Sequence, residues 1–431
     1  MVSGGALLPS FLRVRRDPQK LCRARIFVVD LLFVLLALLL PWSTTGVAIV
    51  AALCVVALVP TLEPSKFLQS LGRPVCILPI ALFTLALVGT LWSDAPWGAR
   101  LDAVGPTAKL LVLPLVLYHY ERSPRGVWVF IAFLASCMLL MATSWAVAFA
   151  PDLALKPYLS RGPYDPERGI AVKNHIDQSQ EFALCAVTLA YPIMTLLRTN
   201  KVWPAVLLAG TASSFLLNMV FVVVSRTALV TMPLMIAVFA LRHLRVRTTI
   251  VGFCAAALLA IVLWSLSPSL RTTISKFTTE YRNTQIYGAP SGVGSRVEFW
   301  RKSLRFFVDA PLIGHGTGST RGLFERAAFG TGVHAEIVSN PHSQTLNVAV
   351  QWGSIGIVAL YAMWSFHLLL FRGETLAHWV GLAVVVQNIF TSVFNSHLFD
   401  FQEGWIYVLG VGVAGGMTLA KQSPAEVARL K

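Results

Sequence analysis

Apolar residues run along the chain in blocks of about 17 to 25, broken by short polar turns, and a helix of that length crosses a hydrocarbon layer of roughly 30 Å. The pattern predicts spans at 26–42, 46–62, 75–92, 105–119, 126–150, 181–197, 203–224, 227–243, 247–266, 343–371, 375–394 and 402–420. The expected fold is therefore an all-α polytopic membrane protein of about twelve transmembrane helices, a single domain over 1–431. Two large loops interrupt it, 151–180 and 267–342, the second partly helical and expected to cover an active site. The stretch 203–243 is too long for one span and has only Ser225-Arg226 as a polar break, so two helices should meet there in a tight hairpin. Arg226 would then be held at bilayer depth, where an arginine is expected to be functional.

Composition fixes the class. Hydrophobic residues make up 56% of the chain and charged residues 13%, against roughly 25% charged in a soluble domain, and the mean hydropathy is +0.68. A net charge of +15 would point to nucleic acid in a soluble protein, but here the basic residues lie between apolar blocks rather than on a stripe with aromatics. No nucleic-acid partner is expected. The six cysteines, Cys22, Cys54, Cys76, Cys137, Cys185 and Cys254, sit in or beside apolar segments with no CxxC, and read as packing residues.

Topology follows from the cations. Arg13, Arg15, Arg16, Lys20, Arg23 and Arg25 precede the first apolar run without a small-residue cleavage site, so the start reads as uncleaved and cytoplasmic. That choice puts both termini in the cytoplasm, together with the short loops holding Lys66 and Arg73, Arg122 and Arg125, Arg198 and Lys201, Arg242 to Arg247, and Arg372. The two large loops fall on the far side and are basic against the rule, with Arg161, Lys173, Arg296 and Arg301 among their cations. Long loops translocate regardless of charge, and arginines also bind lipid headgroups; an anionic ligand is the functional reading.

Within the second loop, Gly294 to Arg301 has the spacing of a short interfacial helix that turns Trp300 toward lipid. Pro311-Leu312-Ile313-Gly314-His315-Gly316-Thr317-Gly318 offers glycines whose backbone N–H groups could face an anion, but the pattern alone is a weak signal and a plain turn is the preferred reading. Asn340-Pro341-His342-Ser343 stands directly before the tenth block. With Asn340 as cap and Pro341 at the first helical position, His342 falls in the first helical turn, where the dipole favours a neutral imidazole able to accept a proton. A hydrogen-bonded structural histidine is the competing reading. The acids expected on that side, Asp94, Asp165, Glu167, Asp177, Glu181, Glu298 and Glu336, are scattered without a paired-aspartate motif, and no Walker or dinucleotide fingerprint is present. Neither a metal nor a cofactor is expected.

Taken together, Trp92-Ser93-Asp94, Ser225-Arg226, the Gly-Ser-Arg-x-x-x-Trp stretch at 294, the Gly-rich run at 311–318 and Asn340-Pro341-His342-Ser343 resemble the O-antigen ligases, which group with the O-antigen polymerases. In that family the last motif often ends in Asn where Ser343 stands. The resemblance implies an inverting, metal-independent glycosyltransferase of the bacterial inner membrane. It would move a polysaccharide from undecaprenyl pyrophosphate to the lipid A core oligosaccharide at the periplasmic face, with no cofactor. It also implies His342 as base and Arg226, Arg296 and Arg161 as pyrophosphate ligands, with Arg301, Lys173 and Asn340 as secondary candidates. The nearest alternative is an O-antigen polymerase using the same donor. A lipid-linked glycan flippase or transporter, from a different class, should carry charges near the midplane, and the central parts of these spans look nearly free of them.

Overall fold

The computed structural model describes residues 18–149, 169–172, 174–223 and 225–420. All regular structure among them is helical, as the apolar pattern requires. The helices are α1 (Pro18–Leu39), α2 (Thr44–Leu58), α3 (Pro64–Leu71), α4 (Pro74–Val88), α5 (Trp97–Val104), α6 (Val112–Arg122), α7 (Gly126–Phe149), α8 (His175–Thr188), α9 (Ala190–Arg198), α10 (Val202–Phe221), α11 (Arg226–His243) and α12 (Val246–Leu266). They continue as α13 (Pro268–Tyr287), α14 (Gly294–Asp309), α15 (Thr320–Arg326), α16 (Gln344–Leu370), α17 (Leu376–Thr391) and α18 (Phe401–Ala420), with a 3-10 stretch over Gly105–Leu111 joining α5 to α6.

Among the described residues, eight helices are long and apolar enough to cross a membrane, or nine if α3 and α4, bent by 79°, form one span. Three further apolar helices sit where spans are expected but fall short of that standard. Charge accounts for α1, which carries Arg23, Arg25 and Asp30, and for α11, which begins on Arg226 and ends on Arg242 and His243. Length accounts for α17, at 16 residues. The protein is an all-α polytopic membrane protein, and the expected loop 267–342 contains α13, α14 and α15.

At the centre stands α18, whose spanning window is 78% buried. It packs on α6 because its glycines let the backbones touch: a Cβ on Gly412 would lie 2.7 Å from Val116, and one on Gly416 2.5 Å from the Leu117 carbonyl. By contrast, the window of α12 is 6% buried, so this helix is peripheral, and Cys254 on it is exposed rather than packed.

The two ends of the bundle differ. One end gathers the cations of the short loops: Arg73 pairs with Glu121 at 2.7 Å, Arg122 with Glu63 at 2.7 Å, and Arg242 donates to the carbonyls of Phe371 and Gly373. Toward that end Asp30, buried in α1, accepts from Ser123 and Arg125 and meets His119 at 2.8 Å. The spans are thus less free of charge than expected, because partners on neighbouring helices neutralise what is buried. The opposite end carries Ser225-Arg226 and the starts of α16 and α18, and is called the site end below.

The Gly-rich run plugs a break in α16. Gly353 adopts φ +60°, ψ −152°, a region open essentially to glycine alone. Its missing side chain admits the 312–314 backbone, since a Cβ there would lie 2.4 Å from the Leu312 carbonyl oxygen. In return His315 donates its N–H to Val350, Gly316 to Gln351 and Thr317 to Gly89, while Gly318 donates to the Gln351 side chain. Every one of these N–H groups is consumed inside the protein, so the run is a structural plug and not an anion cradle. Gly353→Ala is expected to cost about 1–3 kcal/mol, read as a lowered midpoint of thermal unfolding. Gly98→Ala, where a Cβ meets nothing within 4 Å, should leave that midpoint unmoved or slightly raised.

Candidate functional site

The candidate site forms where the start of α16 meets the loop between α17 and α18. Gln344 donates its backbone N–H to the Ser392 carbonyl at 2.8 Å and accepts from Leu398 N–H through its side chain at 3.1 Å. Asn347 donates to the Ser396 hydroxyl, which donates in turn to Asn340 Oδ1 at 2.8 Å. The loop is held from behind by Lys109, whose Nζ donates to the carbonyls of Phe399, at 3.0 Å, and Asp400. Gly404 makes room for that amine.

His342 does not sit in the first helical turn. The helix starts at Gln344, with Ser343 at its cap position, and His342 precedes it in the left-handed region at φ +54°. The reason is Asn340, whose Oδ1 accepts the His342 N–H at 2.9 Å and so folds the chain into a local turn instead of capping the helix. Asn200 is the only other non-glycine residue at positive φ among those described, and such strain is kept where surrounding structure enforces it. Enforcement comes from two aromatics. Phe299 stacks on the imidazole at 6.0 Å between centroids, and Trp300 donates its indole N–H to the His342 carbonyl at 3.2 Å. Trp300 thus faces the site rather than lipid.

The hydrogen bonds fix the imidazole tautomer. Asn395 Nδ2 lies 2.6 Å from the Asp400 carboxylate, which only accepts, so Oδ1 must face His342. That oxygen is 2.9 Å from His342 Nδ1, which therefore carries the hydrogen. Nε2 is left with its lone pair. Burial pushes the His342 pKa below the ordinary histidine value; the Asn395 bond opposes this, and the charge of Arg296 reinforces it. Near neutrality the ring is thus an uncharged base.

The cations around it are of two kinds. Arg226 emerges from the hairpin as expected, but its terminal nitrogens are held by both Glu280 oxygens, at 2.7 and 2.6 Å, and this pair pulls the Glu280 carboxyl below the usual range. Arg296, half-buried on α14, has no carboxylate partner among the described residues. Burial and the nearby charge of Arg226 both disfavour its guanidinium, so an anion there would relieve two unfavourable effects at once. Arg301 is largely exposed, 3.9 Å from Glu298, and Lys302 instead turns inward to the His334 carbonyl at 2.7 Å. Arg161 and Lys173 lie outside the described residues. Hence Arg226, Arg296, Asn340 and His342 gather at one end, and Arg301 does not join them with a recorded contact.

Sequence reading missed the residues behind His342. Asp400 also faces His397, which is buried and pairs with Asp400 at 3.2 Å and with Glu403 at 3.5 Å. The ligating atoms of His397, Asp400 and Glu403 fall within 4.8 Å of one another, close enough to surround one cation. Burial opposes charge on His397, yet the two carboxylates win and raise its pKa to about 9, so the imidazolium itself neutralises them. A histidine raised this way stabilises the fold fully below its ordinary 6.5 and progressively less as pH climbs through about 9. Thermal stability should therefore fall between about pH 7 and pH 10, and His397→Gln should flatten that slope.

Residues 211–361 match the family model described as O-antigen ligase, a stretch that contains Arg226, Arg296, Asn340 and His342. No curated protein matches the chain.

Proposed function

From the match of residues 211–361 to the family model described as O-antigen ligase, we propose that the protein is an O-antigen ligase of the O-antigen ligase/polymerase superfamily. In this reading it transfers a polysaccharide from undecaprenyl pyrophosphate to the lipid A core oligosaccharide at the periplasmic face of the bacterial inner membrane, with inversion at the anomeric carbon and without a metal. The observation that carries it is the pairing of a tautomer-locked imidazole with a guanidinium that has no counterion among the described residues: His342 leaves Nε2 without a described hydrogen-bond partner, and Arg296 is near it.

The reaction asks for these two things. Nε2 takes the proton of the acceptor hydroxyl as its oxygen attacks the anomeric carbon, a contribution of about 10²- to 10⁴-fold. The bond from that carbon to the pyrophosphate oxygen breaks, and the electron pair leaves with the lipid diphosphate. Arg296 stabilises the departing charge, together with the three N–H groups of Arg226 that Glu280 does not use. Arg161, Arg301 and Lys173 remain proposed auxiliaries, and Asn340 positions His342. Breaking the bond between the sugar and the pyrophosphate supplies the driving force.

Transfer should vanish in His342→Ala and fall by about 10²- to 10³-fold in Arg296→Ala, measured with purified lipid-linked donor and core acceptor and normalised to inserted protein. Transfer at wild-type rate in His342→Ala would sink the assignment. Because His342 is held below 6.5, activity should stay level down to that pH and fall only on further acidification. Asn395→Asp, which places a carboxylate on Nδ1, should move this acid limb upward. Deletion of the gene separates ligase from polymerase: a ligase leaves long polymer on the lipid carrier, whereas loss of a polymerase leaves single repeats on the core.

A further inference from the structure

A cavity opens at the site end between α15, the plug and the turn after α4. Its volume is about 550 Å³, and Asp94, His315, Arg321, Glu325 and Arg326 contribute its polar lining. It belongs to the same body as the candidate site: Phe299, which stacks on His342, meets Phe324 at 5.7 Å, and Phe324 precedes Glu325 on α15. Two ring contacts therefore separate the imidazole from the cavity wall.

The wall is rigid. A Cβ on Gly316 would lie 2.5 Å from Ser93, and one on Gly318 2.6 Å from the Ala99 carbonyl, so the plug and the 93–99 turn are pressed together. Arg100 fastens that turn by donating to the carbonyls of Ala95, at 2.6 Å, and Thr90, at 2.8 Å. Around this fixed frame the charges are not spent on each other. Asp94, Arg321, Glu325 and Arg326 form no ion pair or side-chain hydrogen bond among the described residues, although two are acids and two are bases facing one space. Beside the cavity Trp97 is 60% exposed, with Arg100 over its ring at 4.5 Å.

Carboxylates that accept, guanidiniums that donate and an aromatic face at the rim together suit a ligand that both donates and accepts along its length. We propose that this cavity binds a saccharide chain, holding the sugars next to the one that reacts at His342. The inference rests on the transferase reading for its place in the reaction, but not for the binding itself. The chain has two sources, the core oligosaccharide of the acceptor or the repeat units of the donor polymer.

Calorimetric titration of the full-length protein in nanodiscs, with deacylated core oligosaccharide and separately with polymer released from its lipid, tests the proposal. Arg321→Ala and Glu325→Ala alter exposed side chains, so both variants should fold. Each should weaken one of the two saccharides by about ten-fold, the worth of a charged hydrogen bond, while Arg282→Ala on α13 leaves affinity unchanged. Weakening of core binding assigns the cavity to the acceptor, and weakening of polymer binding assigns it to the donor. If wild-type protein binds neither saccharide, or if the cavity variants bind both like wild type, the proposal is wrong. The titration needs no turnover, so failure of the transferase reading is a separate result.

Discussion

The site hangs on one amide. Asn395 bridges a carboxylate that can only accept and an imidazole that can do either, and the first of these contacts dictates the second. Turning the amide over would set its nitrogen against the His342 N–H and its oxygen against Asp400, losing both bonds and adding repulsion. The tautomer of His342 is therefore decided by a residue 53 positions later in the chain. That distance is bridged because the start of α16 and the loop before α18 are sewn together through Gln344, Asn347 and Ser396, with Lys109 bracing the loop from behind. The strained backbone of His342 follows from the same stitching, since Asn340 serves both the His342 N–H and the Ser396 hydroxyl.

Charge is distributed unevenly around this amide. Behind it, Asp400 and Glu403 share the imidazolium of His397, so the carboxylates next to the proposed base are already answered. In front of it, the balance tips the other way: among the described residues Arg226 is answered by Glu280, and Arg296 is not. A half-buried guanidinium without a partner is costly, and a second guanidinium nearby adds to the cost. Were Arg296 paired as Arg226 is, the end of the bundle would be electrostatically complete and would offer a pyrophosphate little. At the opposite end Arg73, Arg122 and Arg125 find carboxylates and Arg242 finds two backbone carbonyls.

Much of this was legible in the chain and some was not, for identifiable reasons. The helices could be read because apolar length is a direct consequence of bilayer thickness. Arg226 could be read because it breaks an apolar run at a place where polarity is expensive, and His342 because it stands behind Asn340-Pro341 directly before an apolar block. Asn395, His397, Asp400 and Glu403 could not, since they lie in a short loop with no ligand-like spacing, and only the tertiary stitching brings them behind His342. Two local readings failed because they took a segment in isolation. Asn340-Pro341 has the look of a helix start, yet Asn340 finds the His342 N–H first; the glycines of 314–318 look free, yet the broken turn of α16 takes up their N–H groups. Trp300 was misplaced likewise, because its indole is worth more against the His342 carbonyl than against lipid.

A base at a membrane surface faces opposing demands, for it must be buried enough to stay neutral and open enough to be reached. Here the ring is enclosed on one face by Phe299 and at Nδ1 by Asn395, and its backbone is clamped by Trp300. Burial and the charge of Arg296 keep it neutral, while Nε2 is the edge without a hydrogen-bond partner among the described residues. The same guanidinium that would hold a leaving anion thus also lowers the basicity of the imidazole while the site is empty. An anion seated on Arg296 would shrink that penalty and make the imidazole the stronger base, so under the proposed transferase reading a diphosphate donor would itself prepare the proton acceptor.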